Sequence, residues 1–315
     1  MSQQNSSISN FKRFLLRVFV PLLVAVALFG LLFQYVFEKK IILGSETNGA
    51  YKVNRIISQT NPDEIPIFGA SQAQGGIIPD ILGKNYFNYG VDGVGNNVPL
   101  FFVKEECKKK KKSPLMIVYY EISVISHSIG DVSYYLYNAN YEPVKELMGK
   151  NFKTYFNIPF LKYYGQYETY LRNYLNDRVN LTKYTNHGAA IEKNRVTRER
   201  FDEMVKEREK QKPYFLSDTV VTNDFFRVIE ANPNRIFVII LGPYHKSCFH
   251  LYQDSPETKE LISHFRREKN VRLIDLSMKI YPDEYFINTT HVHYDGAVAI
   301  SKEIRDSIAT IKLNQ

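Results

Sequence analysis

Apolar and polar positions divide the chain into three zones of different period. The first is an unbroken apolar run, Val18 to Phe37 (VFVPLLVAVALFGLLFQYVF), twenty residues with no charge and one Gln. At about 1.5 Å per residue such a run spans roughly 30 Å, the hydrocarbon core of a bilayer. The second zone holds short apolar stretches, Ile65–Gly69, Pro114–Ile122, Arg235–Leu241 and Val271–Leu276, with Asn85–Tyr89 (NYFNY) as a further candidate strand. Runs of this kind read as strands buried on both faces of a parallel sheet. Between them the period lengthens to that of helices, over Pro99–Cys107, Thr219–Asn232, Ser255–Lys269 and Asp295–Ile311. Strands alternating with helices predict an α/β fold with a mostly parallel sheet. The third zone, 141–213, breaks the alternation. It is aromatic early and charge-rich late, and both halves are read as helical, a helical insertion over the carboxyl edge of the sheet, where lids sit. The predicted organisation is a tail over 1–17, a transmembrane helix over 18–37, a linker over 38–60 and one domain over 61–313 carrying that insertion.

A cleaved signal peptide is the nearest rival to an anchor. Ala25 and Ala27 lie in the middle of the run, and Glu38-Lys39-Lys40 follow it, a poor cleavage site, so an uncleaved single-pass anchor is expected. Three Lys or Arg precede the run and Lys39, Lys40, Lys52 and Arg55 follow it, a balance that does not orient it.

Charge removes one class of function. The chain has 315 residues and a formal net charge of +8. Residues 1–60 carry +5 and 104–112 carry +4, so the rest is almost neutral. A nucleic-acid interface needs its cations spread over a binding face, whereas these flank the apolar run and crowd the loop Lys108–Lys112. No nucleic-acid partner is expected. That loop precedes a central strand and is expected at the amino edge of the sheet. Two cysteines, Cys107 and Cys248, exclude a disulfide framework and a four-cysteine zinc site. The 23 Tyr and 21 Phe, with no Trp, promise a large aromatic core.

Three stretches carry candidate chemistry. Phe68-Gly-Ala-Ser71-Gln-Ala places a serine on a tight turn just after a strand, where it can act as a nucleophile. Asn88-Tyr-Gly-Val-Asp-Gly93-Val-Gly-Asn96-Asn follows the next strand, and its glycines let backbone N–H groups approach a ligand oxygen. It lacks Gly-x-Gly-x-x-Gly, so no dinucleotide cofactor is expected. Tyr285-Phe-Ile-Asn288-Thr-Thr-His291-Val-His293 leads into the last helix. A side chain three residues before a histidine in a loop can reach and orient its imidazole. His291 and His293 also form a His-x-His pair, but no acidic cluster offers further ligands and no metal is expected.

In this order the three stretches resemble the SGNH/GDSL hydrolase superfamily, over roughly residues 61–313. Phe68-Gly-Ala-Ser71 is similar to its nucleophile block, Asn88-Tyr-Gly-Val-Asp-Gly93 to its second block, and Phe286-Ile-Asn-Thr-Thr-His291 to its terminal Asp-x-x-His block. The resemblance implies a three-layer, flavodoxin-like sheet. It implies Ser71 as nucleophile, His291 as base, and the Ser71 and Gly93 N–H groups as oxyanion donors; Asn96 or Asn97, outside the family's pattern, is the candidate for the donor its third block would supply. Asn288 stands where the family has Asp, and the third-block Gly-x-Asn is replaced by Tyr120-Glu-Ile-Ser. Asp283 and Asp295 are candidate substitutes for the missing carboxylate, though spacing favours neither.

The anchored form resembles proteins that O-acylate cell-envelope polymers, of the alginate O-acetylation and lipoteichoic D-alanyl transfer types. The stretch Leu241-Gly-Pro-Tyr-His is similar to one found there. This implies a polysaccharide or other acylated envelope substrate, a multi-span membrane O-acyltransferase as partner, and a chain whose bulk lies outside the cytoplasm. The implied activity is that of a serine acyl-esterase or O-acyltransferase. The alternative is a non-catalytic polysaccharide-binding or scaffold subunit.

Overall fold

The computed structural model describes residues 11–122, 128–158, 161–179, 182–212 and 219–311. The first ten residues of the expected tail, and the expected boundaries at 213 and 313, lie outside the described residues. Five parallel strands form the main sheet: β1 (Ile65–Phe68), β2 (Tyr86–Asn88), β3 (Leu115–Tyr119), β6 (Ile236–Leu241) and β7 (Val271–Asp275). They lie in the order β2-β1-β3-β6-β7. Each coincides with one of the apolar runs, within one to three residues at either end. Because side chains alternate along a strand, β3 and β6 feed two cores. Met116, Val118, Phe237, Ile239 and Leu241 face one, and Leu115, Ile117, Tyr119, Val238 and Ile240 the other. Helices Gly49–Ser58, Asn97–Cys107, Thr219–Glu230 and Pro256–Arg267 bury residues in the first core; Ser71–Gly76 and Tyr294–Ala309 bury theirs in the second. The fold is thus α/β with helices on both faces of a parallel sheet.

In this strand order the chain leaves β1 toward both neighbours, β2 on one side and β3 on the other. The loops at their carboxyl ends diverge and open a crevice, the general ligand position in open α/β sheets. The turn carrying Ser71 and the glycine-rich loop after β2 both begin at this edge. The lysine loop is at the opposite one: Lys111 Nζ donates to the Asn61 and Glu64 carbonyls just before β1. Its charge is balanced locally, Lys109 and Lys111 pairing with the buried Glu106.

Two expectations require correction. The segment 38–60 is packed structure and not a linker. Asn48 caps helix Gly49–Ser58 by accepting the Ala50 N–H at 2.8 Å, and Ala50, Val53 and Ile56 are wholly buried. Even Lys52 is buried, its ammonium donating to the Gly90 carbonyl. The charges of Lys52 and Arg55 conceal an apolar stripe at helical spacing.

The insertion is not helical throughout. Between helices Tyr167–Val179 and Arg198–Glu209 lies an antiparallel hairpin, β4 (Lys183–Asn186) with β5 (Ala189–Glu192). His187 and Gly188 form its turn, with φ of 39° and 85°. Two successive residues of positive φ match the right-handed twist of a short hairpin. Gly188 also approaches the Asn88 carbonyl too closely for a Cβ, which seats the hairpin against β2.

The apolar run lies within one continuous helix over Phe11–Ile42, the single described helix long and apolar enough to cross a membrane. Apart from the half-buried Gln34, the run's side chains are exposed until Phe37, which packs on Tyr163, Tyr167 and Tyr170 of the insertion at 5.1–5.9 Å between ring centres. Glu38 accepts hydrogen bonds from the Tyr163 hydroxyl at 2.5 Å and from Lys162 at 3.5 Å. The insertion therefore clasps the end of the apolar helix.

Candidate active site

β1 ends at Phe68, and the chain turns through Gly69 and Ala70 into the helix that starts at Ser71. The turn is tight because of Gly69: a Cβ there would lie 2.5 Å from the Ala73 Cβ and 2.9 Å from the Tyr119 Cβ. The Ser71 hydroxyl is thereby held at the carboxyl edge of the sheet. Asn88, fully buried at the end of β2, braces this turn. Its amide donates to the Ala73 and Ile77 carbonyls at 2.7 and 3.0 Å, and its oxygen accepts the Gly90 N–H at 2.8 Å. One side chain thus fixes the serine helix and the glycine loop relative to each other.

From the far end of the sequence comes a pinched loop. An antiparallel bridge between Phe286 and Val292 closes it, and the His293 N–H donates to the Tyr285 carbonyl at 2.7 Å. Inside, Asn288 Oδ1 accepts the Thr290 and His291 N–H groups at 2.9 and 2.8 Å. Only the amide oxygen can accept these, so they settle which way the amide faces. The same oxygen lies 3.2 Å from His291 Nδ1, with Thr290 Oγ1 also 3.2 Å from that nitrogen. An acceptor at Nδ1 requires the proton to be there. Nε2 of the neutral ring is then an acceptor, and it lies 2.8 Å from Ser71 Oγ. The serine proton points at the basic nitrogen of an imidazole whose tautomer is fixed from behind.

Burial holds the His291 pKa below its ordinary value, against an upward pull from Asp92. The ring is therefore a neutral base at pH 7. What the arrangement lacks is a carboxylate at Nδ1, which would favour the imidazolium formed after proton transfer. Neither candidate substitute is there. Asp283 binds His245 Nε2, Lys246 and Arg198 at 3.1–3.2 Å. Burial opposes its ionisation, but His245 and Lys246 outweigh burial and bring it to about 2. Asp295 binds Arg195 at 2.7 Å. His293 has both ring nitrogens engaged, Nε2 with the Lys193 carbonyl at 2.5 Å and Nδ1 accepting the Asp295 N–H at 3.2 Å. It caps the last helix and does not pair with His291.

The remaining expected residues lie after β2 and after β6. Gly93, with φ of 70°, sits in the loop after β2 and gives its carbonyl to the Ser128 hydroxyl at 3.1 Å. Its contacts run to Ser128 and Gly130. Asn96 is buried and its amide donates to the Glu121 carbonyl at 2.9 Å. In the neighbouring Asn97 the amide oxygen is buried without a donor among the described residues. The Tyr244 hydroxyl in Leu241-Gly-Pro-Tyr-His accepts the Ile122 N–H at 3.2 Å, so this stretch braces the loop after β3.

Three residues here were not singled out in the sequence reading. Asn88 is the brace described above; an Asn at a strand end before a glycine was its only sequence signal. Asp92 is exposed and exerts the upward electrostatic pull on His291. Glu121 is buried at the end of β3. Asp92 and Gln74 also line a polar hollow of about 500 Å³, shared with Asn48, Asn173, Tyr174 and Thr185. Its wall includes residues 44–49, directly after the long apolar helix. No protein-family model and no curated protein matches this chain.

Proposed function

We propose that this chain is a membrane-anchored, SGNH-like serine acyl-esterase or O-acyltransferase acting on a cell-envelope polysaccharide, with its bulk outside the cytoplasm. The observation that carries the reading is the Ser71–His291 hydrogen bond with the imidazole tautomer fixed by Asn288. In the proposed reaction Ser71 Oγ attacks an acyl carbonyl and His291 Nε2 takes its proton. Backbone N–H groups at Ser71 and Gly93 receive the developing oxyanion. The tetrahedral intermediate collapses, His291 returns the proton to the leaving oxygen, and the acyl group remains as an ester on Ser71. A sugar hydroxyl or water, deprotonated by His291, then removes it.

The polar hollow supports a carbohydrate acceptor, since amides, hydroxyls and a tyrosine ring are the groups that recognise sugars. Its wall of residues 44–49 keeps it next to the end of the apolar helix, consistent with an acyl donor delivered by a multi-span membrane O-acyltransferase.

Asn288 favours one second reading, a non-catalytic domain of the same kind that binds polysaccharide or scaffolds such a partner. Acyl release from an aryl acetate separates the two. Release that falls together in Ser71→Ala and His291→Ala supports the enzyme, and equal rates in all three proteins would leave only the scaffold.

A further inference from the structure

Two residues past the end of β3 lies Glu121, whose carboxyl has no part in the chemistry above. It is 5% exposed, and its Oε1 has no hydrogen-bond partner among the described residues. The carboxyl lies beside the N–H of Gln72, the residue after Ser71. The backbone on either side is pinned, the Glu121 carbonyl by Asn96 and the Ile122 N–H by the Tyr244 hydroxyl. The side chain is thus held between the serine turn and the loop after β2, the two segments that would supply the oxyanion donors. Among the described residues, the charged and titratable groups acting on it are Asp92 from that loop, Tyr119 from β3 and Tyr244 from the loop after β6, none of which brings positive charge.

A buried carboxylate without a cation and with a donorless oxygen is the disfavoured form. The neutral acid converts one oxygen into an O–H donor and removes the buried charge. Burial, reinforced by Asp92 and only partly offset by the Gln72 N–H, pushes the group up to about 8. Carboxylic acids kept neutral by apolar sites serve elsewhere as oxyanion donors.

We propose that Glu121, in its neutral form, is the side-chain donor of the oxyanion site. The inference rests on the Ser71–His291 reading. As the Ser71 Oγ–carbon bond forms and the serine proton passes to His291, the carbonyl π pair moves onto the acyl oxygen. The Glu121 O–H hydrogen-bonds that oxygen and keeps its own proton. When the intermediate collapses, the pair returns to the carbon and the leaving oxygen departs with the proton from His291. Ionised Glu121 places like charge beside the oxyanion, so the same group sets an upper pH limit on turnover.

The test uses the full chain in detergent micelles, with an arylboronic acid that forms a tetrahedral adduct on Ser71, followed by boron NMR, alongside aryl acetate turnover. In the wild type, kcat falls about tenfold per pH unit above pH ~8. Glu121→Leu lowers kcat at neutral pH by about 10²–10³-fold. Glu121→Gln, nearly isosteric and unable to ionise, recovers part of that loss through its N–H and abolishes the alkaline fall. A Glu121→Gln protein that keeps the wild-type alkaline fall overturns the proposal, even should the Leu variant fail to fold. So does a folded Leu variant with wild-type kcat. A wild type that forms no boronate adduct, like Ser71→Ala, overturns the Ser71 reading itself and this inference with it.

Discussion

Replacing Asn288 by Asp isolates the one electrostatic contribution missing behind His291. The substitution keeps the acceptor atom that binds the Thr290 and His291 N–H groups and faces Nδ1 at 3.2 Å, so the loop and the tautomer are preserved. What changes is a negative charge. Two unit charges about 4 Å apart attract by roughly 4 kcal/mol at an effective dielectric of 20. Asn288 is half-buried, so solvent screening reduces this to about 1.4–2.7 kcal/mol, or one to two pKa units. The imidazolium gains that stabilisation and the neutral ring does not. His291, held below its ordinary value by burial, is therefore expected to titrate one to two units higher in Asn288→Asp. NMR titration of the imidazole, assigned by its loss in His291→Gln, measures this directly. In acyl release the ascending limb of the pH profile moves up by the same interval. The rate above that limb rises about 10- to 100-fold, because the imidazolium forms in the transition state. An unchanged His291 titration would refute the argument that Asn288 and the imidazole are in contact through Nδ1.

Other outcomes follow from the same geometry. Glu121 holds a proton in the folded chain up to about pH 8, whereas the unfolded chain releases it near pH ~4.3. Between those values stability falls as pH rises, by at most about 1.4 kcal/mol per unit. Thermal melts of Glu121→Gln will lack this slope, and a slope equal to that of the wild type would contradict the assignment. Asn88→Ala removes three buried hydrogen bonds and is expected to destabilise by about 3 kcal/mol. Denaturant melts check this, and a loss below about 1 kcal/mol would show that Asn88 does not brace the serine turn. The full chain is expected to stay in the membrane pellet through an alkaline carbonate wash and to need detergent for release; its appearance in the wash would rule out a spanning helix.

Much of this architecture can be read from local sequence because β1, β3 and β6 are continuous apolar runs. A strand buried on both faces has no polar positions to blur it, and the turn residues after Phe68 and Asn88 mark where it stops. The hairpin was obscured by the opposite circumstance. Its strands are four residues long, and Lys183, Thr185 and Asn186 give them little apolar content, so only the Asn186-His187-Gly188 turn marked them. Helix Gly49–Ser58 was obscured by Lys52, which reads as a solvated charge and is buried against the Gly90 carbonyl.

The candidate site divides in the same way. Asn288 and His291 are three residues apart, and their contact is local. Ser71 and His291 are 220 residues apart, and strand order alone brings their turns to one edge. Glu121 stands in the Tyr120-Glu-Ile-Ser stretch that departs from the third block, but a lone glutamate after a strand is normally solvated; only the pinned loop and the packing around it bury the carboxyl.

Covalent labelling reads the activation of Ser71 by His291 without reference to any substrate. The full chain is incubated with a fluorophosphonate at neutral pH and its peptides are mapped by mass spectrometry. A single adduct on Ser71 is expected, absent in Ser71→Ala and formed far more slowly in His291→Ala. An unlabelled wild type, or labelling that persists unchanged in His291→Ala, would contradict it.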